Sequence, residues 1–339
     1  MAALFRSHEL AFRTQYAELK ERVGGAGPLL PGTPGTLARR TGTGHAHWYR
    51  VYYAAPGRQV EDWVGAEADA AAREQAGQDI AFASWASLQV ADLRKLGFQV
   101  ADKGTARVLV ELHNRGLFAA GLVVVGTLAV MAWLNELGAR AVAARTMDVD
   151  LARRQALRIA GPSPLLDILR ATRLPFAAVP AMPSHAASTS AKLPGADGLR
   201  VDLLAPGRAT GGAVAVPELA WHAQAIPHYD WLLDDPSPAV VLAGGHAVPV
   251  RLPRPERMVF HKLLSSVAAR RPREKVEKDV VQAATLAACL VEDDDVALGH
   301  AAATLPAALR SAARRRRADL ERLLADHPQA LEALAPALR

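Results

Sequence analysis

Cysteine is nearly absent from this sequence, because Cys289 is the only one among 339 residues. A single thiol cannot form an intrachain disulfide or a cysteine-ligated metal cluster, so both of these ways of stabilising a fold are excluded. The histidines include no HExxH pair, which excludes a zinc site of that type. Aromatic residues make up only 5% of the chain, but half of all residues are hydrophobic, which is enough for a large globular core.

Long apolar runs are scarce as well. One run, residues 117–134, contains nothing more polar than Thr127 and approaches the roughly 20 residues that cross a bilayer. Gly121 and Gly126 interrupt it, and no cluster of basic residues marks a cytoplasmic side. We therefore predict no membrane anchor, but a buried strand before Gly126 and a helix after it, ended by Gly138.

The start of the chain lacks the features of a secretory signal. Arg6, His8 and Glu9 stand where such a signal needs its apolar core. Together with the single cysteine, this predicts a cytoplasmic protein. The formal net charge of +6 permits an anionic partner such as a nucleotide or a nucleic acid, but charge alone gives no specificity.

The distribution of helix and strand signals predicts an α+β chain. Residues 8–23 are amphipathic and predicted to be helical, whereas residues 24–44 are rich in Gly, Pro and Thr and predicted to be a loop. Residues 47–65 carry aromatic and β-branched runs around a Pro-Gly turn, which is typical of a β-hairpin. Residues 237–253 give a second hairpin signal around Gly-Gly. From residue 255 onward the sequence is almost entirely helical in character.

Two acids lie close together in the segment "TMDVDL". Asp148 and Asp150 are two positions apart, and in a strand such residues project from the same face. A carboxylate pair of this kind can hold a hard cation such as Mg²⁺, which takes oxygen ligands. The alternative is a pair of solvated acids at the end of a strand.

Two further features accompany this pair. Gly126 and Thr127 close a predicted strand and open a helix, where free backbone N–H groups and the positive helix end can hold a phosphate. Asp202 is a single acid in the strand-like segment "LRVDLL", a costly position unless the carboxylate is exposed or ligated. The alternatives are an ordinary turn at Gly126 and an acid on an edge strand at Asp202.

The order strand, Gly-Thr, helix, Asp-x-Asp and distant strand Asp resembles the nucleotidyltransferase superfamily with the DNA polymerase beta-like fold. In that superfamily a Gly-Ser or similar pair opens a helix, the following strand supplies two metal-binding acids, and a neighbouring strand supplies a third. Thr127 keeps the hydroxyl of the commoner serine. The resemblance implies that Asp148, Asp150 and Asp202 hold two Mg²⁺ ions, and that Gly126 and Thr127 bind the triphosphate of an NTP.

The chain looks closer still to one bacterial family of uncharacterised nucleotidyltransferase-fold proteins. The segments that carry this resemblance are "VGTLAVMAW", "RTMDVDLA", "LRVDLLAP", "SPAVVLAGGHAVPVRLPRPERMVFHKLL" and "KVEKDVVQAATL". They lie between residues 117 and 291. The resemblance implies a fold and a transfer chemistry, but not an acceptor.

Basic residues on two later helices add candidate nucleotide contacts. Lys275 and Asp279 fall at i and i+4, on one helix face, and Lys262 lies on the preceding helix. Toxin-like nucleotidyltransferases resemble this arrangement, with a Lys on one helix and a Lys-Asp pair, here Lys278 and Asp279, on the next. The alternative is two solvated helix faces with ordinary ion pairs.

We therefore predict an α+β architecture with a polymerase beta-like core, a small mixed sheet with helices. The predicted parts are an N-terminal helical and β-hairpin extension (1–116), the catalytic core (117–254) and a C-terminal helical domain (255–339). The predicted activity is Mg²⁺-dependent transfer of a nucleoside monophosphate from an NTP to an RNA, protein or small-molecule acceptor.

Two alternatives stay open at this point. The fold could have lost catalysis and serve as a nucleic-acid-binding or scaffold protein, although the three intact acids argue against this. The enzyme could instead be the toxin of a toxin–antitoxin pair, with an antitoxin-like protein as its partner.

Overall fold

The computed structural model describes residues 4–42, 44–55, 57–142, 146–183, 186–269, 271–293 and 295–339. The strands in these residues are β1 (Phe5–Ser7), β2 (Thr36–Gly42), β3 (His45–Ala55), β4 (Arg58–Ala66), β5 (Val123–Val124), β6 (Ala139–Ala141), β7 (Asp148–Ala152), β8 (Ala177–Ala178), β9 (Ser190–Lys192), β10 (Arg200–Pro206), β11 (Ala213–Val216), β12 (Trp221–Ile226), β13 (Ser237–Ala243) and β14 (His246–Leu252). The helices in the same residues are α1 (Leu10–Gly24), α2 (Ala70–Lys95), α3 (Lys103–Asn114), α4 (Gly126–Glu136), α5 (Leu165–Ala171), α6 (Tyr229–Leu232), α7 (Pro255–Ser266), α8 (Arg273–Asp293), α9 (Asp295–Ala303), α10 (Ala307–Arg315), α11 (Arg317–Leu323) and α12 (Pro328–Leu338).

A mixed sheet forms the centre of the α+β fold. Its strand order is β11-β12-β10-β7-β5, and β9 pairs with both β10 and β8. Strand β10 runs parallel to β7 and to β12, whereas the other pairs in this sheet are antiparallel. The predicted fold class is confirmed.

The two central strands alternate between a buried face and a half-buried face. Val149 and Leu151 of β7 are fully buried, as are Val201 and Leu203 of β10. Successive side chains of a strand point to opposite faces, so the acidic residues between these positions share the other face of the sheet. The apolar face thereby fixes where the acids lie.

The apolar run over residues 117–134 is split, as predicted. The buried strand β5 ends before Gly126, which has a φ of +69°, and α4 follows directly. Gly138 lies just beyond the end of α4 with a φ of +63°. Within the described ranges, no helix combines the length and the apolar character needed to cross a membrane.

The first predicted hairpin is confirmed as β3 and β4, but the loop prediction for residues 24–44 is wrong in its second half. Strand β2 (Thr36–Gly42) pairs antiparallel with β3 along its whole length and makes a three-stranded sheet. Gly42 pairs with His45, so the glycines at 42 and 44 mark the end of β2 and the approach to β3 rather than a continued loop. The pairing of the two strands decides the structure over Thr36–Gly42. The second predicted hairpin is confirmed as the ribbon of β13 and β14.

One hydrophobic core extends through the molecule. Leu19 of α1, Leu151 of β7 and Leu286 of α8 are fully buried members of the same cluster, although they come from the three predicted parts of the chain. All helices from α7 to α12 follow residue 254, in agreement with the predicted helical C-terminal region. The three-part division itself stays a prediction.

Candidate active site

Three carboxylates lie on one face of the central sheet. Asp148 and Asp150 alternate with buried Val149 along β7, and the parallel register places Asp202 of β10 directly beside Asp150. Paired residues of neighbouring parallel strands project to the same side of a sheet. The register is therefore consistent with the shared face predicted for Asp148 and Asp150 and with the metal role that the resemblance implies for Asp202.

Asp150 stands in tight contact with the start of α4. A Cβ on Gly126 would come within 2.0 Å of Asp150 Oδ2, so only glycine fits there. The backbone N–H of Val125 donates to the Asp150 carbonyl at 2.9 Å. Burial, followed by the charge of Asp202, raises the pKa of Asp150 from 3.8 to about 6. Lys262 and Lys278 oppose this shift.

Asp202 has two partners that the sequence did not predict. Its Oδ1 accepts hydrogen bonds from Arg200 Nε at 2.8 Å and from the Ser190 hydroxyl, and Arg200 Nη2 donates to Ser190 Oγ at 2.7 Å. No described residue donates to its Oδ2. Asp202 is thus partly neutralised, in contrast to Asp148 and Asp150, whose carboxylates accept no hydrogen bond from the described residues.

The N-terminus of α4 is open toward the acids. Val125, which precedes the helix, makes no side-chain capping bond, so the first backbone N–H groups keep their capacity for an anion. Thr127 is buried, and its hydroxyl accepts a hydrogen bond from Lys278 Nζ at 3.2 Å. Burial, followed by the charge of Lys262, lowers the pKa of Lys278. An anion near Lys278 would offset the burial and the charge of Lys262, both of which disfavour its protonated form.

A buried ion-pair cluster joins α7 to α8. Asp279 is almost fully buried, and its Oδ1 accepts from Lys262 Nζ at 3.1 Å while its Oδ2 accepts from Arg271. Removing one member of such a cluster leaves an uncompensated buried charge, so its geometry is firmly held. Asp279 therefore positions Lys262 close enough to the acids for its charge to lower the pKa of Asp150.

The remaining sequence-predicted residue, Lys275, is exposed, and its charge contributes to lowering the pKa of Lys278. Tyr229 of α6 is a neighbour of the site that the sequence did not indicate. It is buried, and burial together with the charge of Asp150 raises its pKa. Its ring packs edge-on against His261 at 5.0 Å, which gives that histidine a packing role.

The acidic oxygens of the site fit a divalent cation in part. Among the described residues, no group of three His, Cys, Asp or Glu side chains forms a ready-made metal cluster. Asp148 and Asp150 nevertheless suit a hard cation, because their oxygens lack hydrogen-bond donors and the Asp150 carboxylate is destabilised by burial and by its acidic neighbours. Only Oδ2 of Asp202 is open to a cation, because Oδ1 accepts hydrogen bonds from Ser190 and Arg200.

The raised pKa of Asp150 predicts a pH-dependent cost to stability in Mg²⁺-free buffer. Its pKa is higher in the folded chain than in the unfolded chain, so the folded state loses stability as pH rises from 3.8 to about 6, and the full cost is present above that range. This cost is about 3 kcal/mol at most. We expect Asp150→Asn to match the wild type at pH 4 and to be more stable at pH 7.5, measured by urea unfolding. If the variant and the wild type are equally stable at pH 4 and again at pH 7.5, the raised pKa of Asp150 is contradicted.

Acids on one sheet face, a glycine-opened helix start and a converging set of lysines make a site suited to a polyphosphate and a hard cation. Residues 103–306 match the sequence profile of a protein family described as nucleotidyltransferase. This match covers more than half of the chain, and the protein belongs to the nucleotidyltransferase family. Comparison with curated proteins and with solved structures found no match.

Proposed function

We propose that the protein transfers a nucleoside monophosphate from an NTP to an acceptor, with Mg²⁺ held by Asp148 and Asp150 and completed by Asp202. The observation that carries the proposal is the Asp150 carboxylate, which is buried without a hydrogen-bond donor beside two other acids and faces the uncapped start of α4. Mg²⁺ bound there would offset charge on the phosphates and on the attacking oxygen.

The side chains around the acids supply the remaining requirements of the reaction. The first N–H groups of α4 and the Thr127 hydroxyl would hold the triphosphate, in the manner of other helix N-termini. Lys278 and Lys262 would balance its negative charge, with Lys262 positioned by Asp279. Lys275, at the exposed rim, would add long-range attraction. Through Oδ2, Asp202 would complete the metal site nearest the acceptor and help to remove the proton of the acceptor hydroxyl or phosphate.

The test is incubation of the purified protein with Mg²⁺, total RNA or a cell lysate, and each NTP labelled at either the α- or the γ-phosphate. We expect the α-label to appear on one acceptor class and the γ-label to leave as pyrophosphate. Label transferred from the γ-position would instead indicate phosphoryl transfer and overturn the proposal. A lane with EDTA serves as the control for metal dependence.

A second function is favoured by one observation. The Arg200–Asp202 ion pair occupies one oxygen of the third acid, as expected of a nucleotidyltransferase fold that binds nucleic acid or a partner without catalysis. Binding of an NTP without any label transfer would support this alternative.

In the toxin-like version of the enzyme, the site is the same and the label appears on RNA or protein. An antitoxin-like partner would then suppress the labelling.

A further inference from the structure

A cavity lies away from the acids. It has a volume of about 1120 Å³ and is lined by the end of α1, the segment 26–34, α2, α3 and the turn between β13 and β14. None of its described lining residues belongs to the candidate active site. Small-molecule sites in proteins usually have volumes of roughly 300–1,000 Å³, so this cavity has room for a ligand of considerable size.

The inner wall of this cavity is apolar and firmly built. Val23, Leu29 and Ala86 line it and are buried in the core. The β13–β14 turn closes one side in tight contact with α2, because a Cβ on Gly245 would come within 2.7 Å of Ser87 Oγ. An apolar wall of this kind favours the hydrocarbon or aromatic body of a ligand.

The charges of the lining are unequal. Among the described lining residues, Arg22, Lys103 and Arg107 are cationic and Asp79 alone is acidic. Lys103 and Arg107 lie one helical turn apart on α3, and neither makes an ion pair with a described residue. Asp79 accepts instead from Gln75. Burial, with an added effect of Arg58, lowers the pKa of Arg107, as expected of a cation that lacks a counter-charge.

We propose that this cavity binds an amphipathic organic anion, whose apolar body lies against Leu29 and Ala86 and whose anionic group contacts Lys103 and Arg107. Two adjacent cations on one helix face suit a carboxylate, sulfonate or phosphate, because charge-assisted hydrogen bonds to such groups are short and strong. The proposal does not depend on the transfer reaction, since the two sites share no described residue.

The test uses two dyes with the same apolar body. Anilinonaphthalene sulfonate carries an anionic group, whereas N-phenyl-1-naphthylamine is its uncharged counterpart, and the fluorescence of both rises in an apolar site. We expect the wild-type protein to bind one molecule of the anionic dye per chain. The double variant Lys103→Gln/Arg107→Gln should bind the anionic dye about tenfold more weakly or worse, with little change for the neutral dye.

Two matched variants distinguish dye binding in the cavity from dye binding elsewhere on the surface. Ala83→Trp fills the cavity from α2 and should reduce the binding of both dyes, whereas Ala91→Trp on the exposed face of the same helix should change neither. Arg94→Gln is the matched control for loss of a cation. The proposal is overturned if the wild type binds neither dye, if the double variant keeps wild-type affinity for the anionic dye, or if Ala83→Trp affects neither dye. Melting curves establish that each variant is folded.

Discussion

Asp150→Asn is expected to reduce NTP-dependent labelling by at least about 100-fold while leaving the chain folded. Loss of a residue that only supports a metal ligand already costs roughly 10- to 100-fold in affinity or activity, so loss of a direct ligand should cost more. Asparagine keeps the shape that fits against Gly126 but removes the charge that would offset the cation. We expect the same result for Asp148→Asn, because its carboxylate also lacks a described hydrogen-bond donor.

The measurement is the initial rate of label transfer together with a melting curve, each with and without Mg²⁺. Asp326→Asn, an exposed acid near the C-terminus, is the matched control and should behave as the wild type. In the wild type, Mg²⁺ should raise the melting temperature, because an ion that binds only the folded chain stabilises it. This increase should be lost in Asp150→Asn. Full activity in either site variant would remove the proposed metal role, and loss of folding would make these acids structural.

Gly126→Ala is expected to abolish labelling and to destabilise the fold. The new Cβ would overlap Asp150 Oδ2, which lies 2.0 Å from its position, and alanine at a φ of +69° is strained in addition. Gly116→Ala provides the control, since Gly116 has a φ of +70° but no atom within 4 Å of the added Cβ. The conformational cost of about 1–2 kcal/mol is thus common to both variants.

The difference between the two variants isolates the contact with Asp150. We expect Gly126→Ala to be less stable than Gly116→Ala by a further 1–3 kcal/mol or so in urea unfolding, the usual cost of overpacking. If Asp150 moves aside instead, the stability difference shrinks but the activity is still lost. Equal stability and equal activity of the two variants would show that the close approach has no functional role.

The sequence predicted those parts of the site that depend on local periodicity. Asp148 and Asp150 share a face because strands repeat every two residues, and Gly126 marks the change from strand to helix. The same reasoning, applied two positions before Asp202, would have placed Arg200 on its face. Ser190 could not be found in this way, because it reaches Asp202 through the pairing of β9 with β10.

The contacts between the helices were predicted only in part. Lys262, Lys278 and Asp279 were expected near the nucleotide, but the ion pair between Lys262 and Asp279 joins residues 17 positions apart on two helices. Arg271, the second partner of Asp279, lies in the short connection before α8, where no periodic pattern applies. Long-range packing decides such pairs, and a single sequence carries no signal for it.

The parallel pairing of β7 with β10 has a consequence for how the protein folds. Asp150 and Asp202 are neighbours in the sheet but are separated by 52 positions in the chain, so closing this pair requires a large loss of chain entropy. Helices such as α4 rely on contacts close in sequence and form sooner. We therefore expect the acidic face to assemble late in folding, so that a chain released before β10 is complete has the glycine turn and the first two acids but neither the third acid nor the strand that pairs beside them.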